Sequence, residues 1–488
     1  MDKHKPNLII FNMDEMRKDA LSHMGNPAAI TPTMDELCRT DAVSFRNAFC
    51  QNPVCTPSRC SFMSGWYPHT AGHRTMVNMM KEDEPVLLKE LKENGYFVMW
   101  GGKNDLVPAD ADMSLYCDVK ISTKDRTDLK PGPHADMSWR TEAGTDLYYS
   151  MFEGKREQGD YTFVHADWFY LQKAVEFIKN RPTDQPFCIY LPLDYPHPPY
   201  GVEEPYFSMI DRTQLKKRIP TPDWTDKPSM LKGIYENQNL QGLTETQWDE
   251  LRAVYLGMCT RVDAQLGLLI DALKEQNLYD DTAIFIFSDH GDFTGDYGLV
   301  EKTQNTFEDC LTNVPLIIKP PKGVEVQSRI SDALVELVDF YATVEELCHL
   351  PKTHTHFGKS LLPLLKEEIA HRDYVCCEGG RRYGEEEAME RSLKSARDPK
   401  SLYNPRARLQ IAEAPYHTKA VMLRNKNYKY VYRHYEKDEL YDLHADPMEL
   451  HNRIDDPSLG EIVSDMKQQL LSFMIETCDA VPLKPDRR

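Results

Sequence analysis

Cys55-Thr56-Pro57-Ser58-Arg59 is the stretch of this chain whose residue types and spacing best suit chemistry. Thr56 and Pro57 predict a helix N-cap and a first helical residue, with Gly65 as the stop. Cys55 then stands at a helix N-terminus, where free amides and the helix dipole favour negative charge, and Arg59 adds a full cation one turn on. A reactive sulfur or oxygen centre facing an anion fits that arrangement. The plainer alternative is a buried cysteine ahead of an ordinary helix.

Such a centre needs elements to carry it. Four short apolar runs, Asn7 to Asn12, Tyr96 to Trp100, Phe187 to Leu193 and Thr282 to Ser288, each give way at once to polar, Gly-rich or Pro-rich residues. Each predicts a buried strand ending in a loop. Between them lie helical patterns, the clearest being Trp248, Leu251, Tyr255, Met258, Val262, Leu266, Leu269 and Leu273, which form one apolar stripe. Strands alternating with helices predict an α/β fold with a mostly parallel central sheet flanked by helices. Asp14, Lys103, His197 and Asp289 all fall at or just beyond the carboxyl ends of these strands, the edge where open α/β sheets bind ligands.

The chain has 488 residues, with 58 Lys and Arg against 77 Asp and Glu, for a net charge of −19. That balance disfavours nucleic acid and anionic membranes. A site for an anion must therefore create a local positive field, for which Arg59, Lys103, His197 and Lys302 are candidates. The polar start from Met1 to Pro6 shows no secretory leader, and no run is long enough to span a bilayer. Twelve irregularly spaced cysteines do not resemble a disulfide framework. A cytoplasmic protein with reduced thiols is expected, with no membrane or nucleic-acid partner. Beyond Leu365 the chain becomes charged and loop-like, which places a catalytic α/β domain at 1–366. A smaller C-terminal α+β subdomain at 367–488 would end in an amphipathic helix through Leu459, Ile462, Val463, Met466, Leu470 and Phe473.

The five-residue stretch matches the CxPxR signature, and the chain resembles the formylglycine-dependent sulfatases of the alkaline phosphatase-like superfamily. Ser288-Asp289-His290-Gly291, Gly101-Gly102-Lys103, Tyr195-Pro196-His197-Pro198 and Glu301-Lys302 resemble further motifs of that family, as does Leu440-Tyr441-Asp442-Leu443. The resemblance implies that Cys55 is oxidised by a maturation enzyme to formylglycine, whose hydrate is the nucleophile. It implies one divalent metal held by Asp14, Glu15, Asp289, His290 and the residue at 55, with calcium the family default and manganese admitted by the nitrogen ligand. Arg59, Lys103 and Lys302 would hold sulfate oxygens, and His197 would protonate the leaving alcohol.

Two positions depart from the family pattern. Glu15 replaces the commoner Asp, and Asp105 stands where the family has a histidine. His73 and Arg74 are candidate substitutes for that histidine at the substrate. The segments from about Val119 to Lys179 and from Gly379 to Pro415 match no family motif, and in this family such segments build substrate pockets. The reading is hydrolysis of a small anionic sulfate ester, such as a sulfated sugar or glycosaminoglycan fragment. The alternatives are a phosphonate monoester or phosphodiester hydrolase, and a binding protein that has lost catalysis.

Overall fold

Alternation along the strand β1 (Asn7–Asp14) sends Ile9, Phe11 and Met13 into one apolar core and Leu8 and Ile10 into another. A strand covered on both faces meets water on neither, so this run shows no polar face. The computed structural model describes residues 4–123, 147–156, 166–412 and 415–483. Its further strands are β2 (Val43–Phe49), β3 (Phe97–Gly101), β4 (Val119–Ile121), β5 (Phe152–Arg156), β6 (Phe187–Pro196), β7 (Tyr200–Glu203), β8 (Thr282–Ser288), β9 (Leu316–Lys319) and β10 (Arg329–Glu336). Eight strands form one sheet in the order β10-β2-β9-β8-β1-β6-β3-β4. β9 runs antiparallel to β2 and β8, and the other neighbours pair in parallel. The sheet is thus mostly parallel, as the expected α/β fold requires. β5 and β7 pair separately.

Helix Cys55–Ser64 packs one face of the sheet through Phe62 and Met63, with Phe62 edge-on to Phe287 at 5.0 Å. On the other face lies helix Glu245–Glu275, opened by a capping box between Thr244 and Gln247. Contrary to the expectation from sequence, this helix is long and apolar enough to cross a membrane by length and composition. Its apolar window is nevertheless 83% buried inside the fold. A second sheet, antiparallel and four-stranded, follows: β11 (Val375–Gly379), β12 (Ala420–Arg424), β13 (Tyr428–Arg433) and β14 (Glu439–Asp442). Helix Gly460–Thr477 covers it through Met466 and Leu470.

The order β8-β1-β6-β3 gathers the candidate residues. These four adjacent strands are mutually parallel, so their carboxyl ends meet at one edge, and the register sets Met13 beside Ser288 and Asp14 beside Pro196. Two strands run further than their apolar cores predict, β1 to Asp14 and β6 to Pro196, because pairing with each other continues past the hydrophobic run. Lys103 is fixed to this edge by its own N–H, which donates to Pro192 O at 2.9 Å. That close approach requires glycine before it: Gly102 has φ +145, and a Cβ there would lie 2.2 Å from Pro192 O. Gly102→Ala should therefore cost roughly 2 kcal/mol or more of stability, read as a lowered urea midpoint at unchanged m; a midpoint equal to wild type would refute the constraint.

Candidate active site

Helix Cys55–Ser64 begins two residues earlier than Thr56 and Pro57 predict. Val54 is the N-cap, without a side-chain cap, and Ser58 N–H donates to Val54 O at 3.3 Å. Pro57 fits inside the first turn because amides there have no helical acceptor to lose. Thr56 Oγ1 is buried without a partner rather than capping. Cys55 is thus the first helical residue, 2% exposed, and its sulfur lies 3.4 Å from Asp14 Oδ1 and 3.3 Å from His290 Nε2. Burial and the neighbouring Asp14 carboxylate push the Cys55 thiol well up, against Lys302 and Lys103.

Arg59 joins two carboxylates: Nε donates to Asp289 Oδ2 and Nη2 to Asp14 Oδ2, both at 2.9 Å. All three side chains are fully buried. Lys103 Nζ adds a bond to Asp14 Oδ2 at 2.6 Å. Burial would raise the Asp14 pKa, but Lys103, His197 and Arg59 hold it well below the usual range. The cations thus take the Oδ2 atoms and leave each Oδ1 facing inward. His290 Nε2 is 3.6 Å from Asp14 Oδ1 and 3.7 Å from Asp289 Oδ1. His290 Nδ1 meets Gly291 O at 2.9 Å; a carbonyl only accepts, so Nδ1 carries the proton and Nε2 presents its lone pair. Burial holds the ring pKa down, so the imidazole is neutral. Donor atoms of Asp14, Cys55, Asp289 and His290 all lie within 4.8 Å of one another. Two carboxylate oxygens and a neutral imidazole nitrogen converging in this way fit a divalent cation.

Glu15 falls in a second such group, with Asp14 and His197, whose donor atoms also lie within 4.8 Å of one another. Its backbone is left-handed, φ +72, and its N–H donates to Asp289 Oδ1 at 3.3 Å. With one more methylene than Asp, the side chain turns away and places Oε2 2.6 Å from Lys302 Nζ and 3.4 Å from His197 Nε2. Burial, with Asp292 and Glu301 nearby, raises its pKa well above the usual value despite Lys302. Lys302 also meets Glu301 at 3.0 Å, and Arg406 Nη1 donates to both Glu301 oxygens at 2.7 Å. Tyr200 donates to Asp292 at 2.8 Å, and its oxygen accepts from Glu301 N–H at 3.0 Å. Glu301, from the Glu301-Lys302 motif, is thus supported by Asp292, Tyr200 and Arg406, which lie outside the quoted motifs.

His197 Nδ1 meets Pro198 O at 2.6 Å, which turns Nε2 into the site. Asp105 lies 3.6 Å from Lys103 Nζ and 3.9 Å from Arg59 Nη1, and Asp194 is 3.9 Å from Lys103. His73 and Arg74 are held elsewhere. His73 faces Glu84 at 3.1 Å and Asn78 O at 2.9 Å, while Arg74 binds Gly380 O and Glu385. Neither bonds to any member of the cluster among the described residues, because each already has an acceptor of its own. The expected positive field, drawn from Arg59, Lys103, His197 and Lys302 together with a metal, does not come from the side chains alone. Asp14, Glu15, Asp105, Asp289, Asp292 and Glu301 outnumber Arg59, Lys103, Lys302 and Arg406, and every one of these cations is paired. Part of the unmatched stretch from Val119 to Lys179, namely 124–146 and 157–165, lies outside the described residues, as do 413–414 of the second stretch.

A family model described as Sulfatase matches residues 6–350, and one described as N-sulphoglucosamine sulphohydrolase, C-terminal, matches 413–476. Arylsulfatase K of Homo sapiens is 25% identical, covering 96% of this chain and 82% of that protein. Multifunctional alkaline phosphatase superfamily protein PehA of Trinickia caryophylli is 24% identical, covering 97% and 96%. Among solved structures, the phosphonate monoester hydrolase of Agrobacterium radiobacter superposes with a TM-score of 0.76 at 20% identity, covering 99% of this chain and 100% of that one. A 2-O GAG sulfatase superposes at 0.71 with 21% identity, covering 97% and 93%.

The burial of Cys55 and the convergence of the acids can each be checked. In native protein carrying an unmodified cysteine, iodoacetamide at pH 8 should label the exposed Cys478 and leave Cys55 untouched until the chain is denatured; rapid native labelling of Cys55 would contradict its placement. Calcium or manganese added to EDTA-treated protein at about a hundredfold over Kd should stabilise it by roughly 2.7 kcal/mol. Asp289→Asn should abolish that rise in Tm, and an undiminished rise would exclude this cluster as the cation site.

Proposed function

We propose that this chain, which belongs to the sulfatase family, releases sulfate from an ester of a small hydroxylated molecule, such as a sulfated sugar or glycosaminoglycan fragment. It is a sulfuric ester hydrolase. The observation that carries the finer reading is the convergence of Cys55, Asp14, Asp289 and His290 with Lys103 and Lys302 at one sheet edge. The names of a 2-O GAG sulfatase and of a protein bound to D-glucosamine-2-N,6-O-disulfate among its structural relatives favour a sugar.

Chemistry at position 55 follows from the family: formylglycine made from Cys55 supplies a hydrated aldehyde as nucleophile, which suits a site where the thiol itself is held protonated. Since Cys55 is buried, the maturation enzyme must act before the chain closes. Asp14, Asp289 and His290 would hold the cation, calcium or manganese, which supplies Lewis-acid charge at the sulfate oxygens. Lys103 and Lys302 exchange carboxylate partners for sulfate oxygens, a positioning and charge-stabilising role. Arg59 fixes the two metal-facing aspartates, leaving only Nη1 without a hydrogen bond. His197 delivers a proton from Nε2 to the leaving oxygen. Burial and the two lysines keep its pKa well down, and an anion seated on those lysines lifts that suppression when the proton is required. The cytoplasm is the proposed compartment, because all twelve cysteines are unpaired thiols.

A phosphodiester or phosphonate monoester hydrolase is the second reading, favoured by the nitrogen ligand His290 in place of an amide. Parallel rates on an aryl sulfate and on a phosphodiester of the same phenol decide between them, with the larger kcat/KM expected for the sulfate. Cys55→Ala should fold and lose about three orders of magnitude or more in sulfate release, and the matured wild type should give an aldehyde mass for the peptide containing position 55. A folded Cys55→Ala protein with near-full turnover would end the mechanism, and absent turnover in a protein carrying the aldehyde would favour a binding role.

A further inference from the structure

Tyr403 stands where sulfate handling requires no tyrosine. It precedes helix Asn404–Ile411, inside a segment without a family motif. Its ring lies 6.2 Å from that of His197 at 60°, and the Arg406 guanidinium sits over it at 5.6 Å. Arg406 is itself fixed by Glu301 and by Lys302 O at 3.3 Å. The turn before Tyr403 is tied down by the hydroxyls of Tyr148 and Tyr149, which donate to Lys400 O and Pro399 O. The ring is therefore a held wall beside the proton-donating imidazole. Its hydroxyl has no hydrogen-bond partner among the described residues, and after burial the groups that act most on it are Lys302, Glu301, Glu15 and Lys103.

We propose that Tyr403 is a specificity-determining residue that holds the leaving group, its ring against the apolar face of a sugar and its Oη on a hydroxyl neighbouring the departing oxygen. This rests on the sulfatase reading above and adds the part of the substrate being recognised. A phenol can both donate to and accept from a sugar hydroxyl, while its ring covers C–H surface. An aryl leaving group offers the ring a face but gives Oη nothing to bond. The site should therefore favour hydroxylated esters over aryl ones of equal intrinsic reactivity.

Tyr403→Phe keeps the ring and removes the bond. For wild type and variant, kcat/KM is measured on p-nitrophenyl sulfate and on whichever of N-, 3-O- and 6-O-sulfated glucosamine the wild type hydrolyses fastest. The sugar-to-aryl ratio should fall roughly tenfold. The loss should appear chiefly in KM for the sugar, since the contact is made alike in ground and transition states. An unchanged ratio, whether both rates fall together or neither falls, would overturn the assignment and leave the sulfatase reading standing. A matured wild type inert to both esters would overturn the two together.

Discussion

Two carboxylates and one guanidinium, all closed off from solvent, meet where β1, β8 and helix Cys55–Ser64 converge, and the site hangs on that junction. An ion triad this deep contributes little net stability, because desolvation offsets much of the attraction. Breaking it is another matter: without Arg59, Asp14 would keep only Lys103 as a cation, and Asp289 would keep only backbone N–H donors. Its value lies in direction. By taking the Oδ2 atoms, Arg59 turns each Oδ1 toward Cys55 and His290, so one cation in the helix decides which way two strands present their acids. The apolar contacts of Phe62 and Met63 then fix where the helix, and hence Arg59, can stand.

The same logic extends along the edge of the sheet. Lys103 reaches Asp14 only because Gly102 lets the chain pass close to Pro192. Lys302 is steadied between Glu15 and Glu301, and Glu301 in turn by Arg406 from a segment more than a hundred residues later. Each cation that could meet a substrate is thus preloaded with a carboxylate. That arrangement keeps buried charges compensated before an anion arrives, and it requires an exchange of partners when one does.

Much of this was legible in the residues, for reasons that differ. The four site-bearing strands could be read because central parallel strands are nearly uniform apolar runs, and Thr282–Ser288 keeps the same bounds in the structure. Their convergence followed from the general behaviour of open sheets. What could not be read was where side chains turn once the backbone leaves the regular element. Glu15 follows Asp14 in sequence, yet its left-handed backbone groups it with Asp14, His197 and Lys302 rather than with Cys55, Asp289 and His290. His73 and Arg74 have the right charge, yet Glu84 and Glu385 claim them. Arg406 and Tyr403 were invisible because helix Asn404–Ile411 reaches the site from across the fold, and nothing local in the sequence marks a tyrosine as facing His197.

Charge at the site sets a condition on the entry of an anion. Composition alone asks an acidic protein to build a positive pocket, and four cations at one rim would answer that demand if they were free. In the structure those cations are outnumbered by the acids around them; the raised pKa of Glu15 reflects burial and repulsion from Asp292 and Glu301, while that of Asp292 reflects burial. Residues alone therefore leave no net field to draw in a sulfate ester. A divalent cation between Asp14, Asp289 and His290 would reverse that, since its charge falls on the inward oxygens that Arg59 leaves free. The metal would then first make the pocket a place an anion will enter, and polarising the bond to be broken would be its second task.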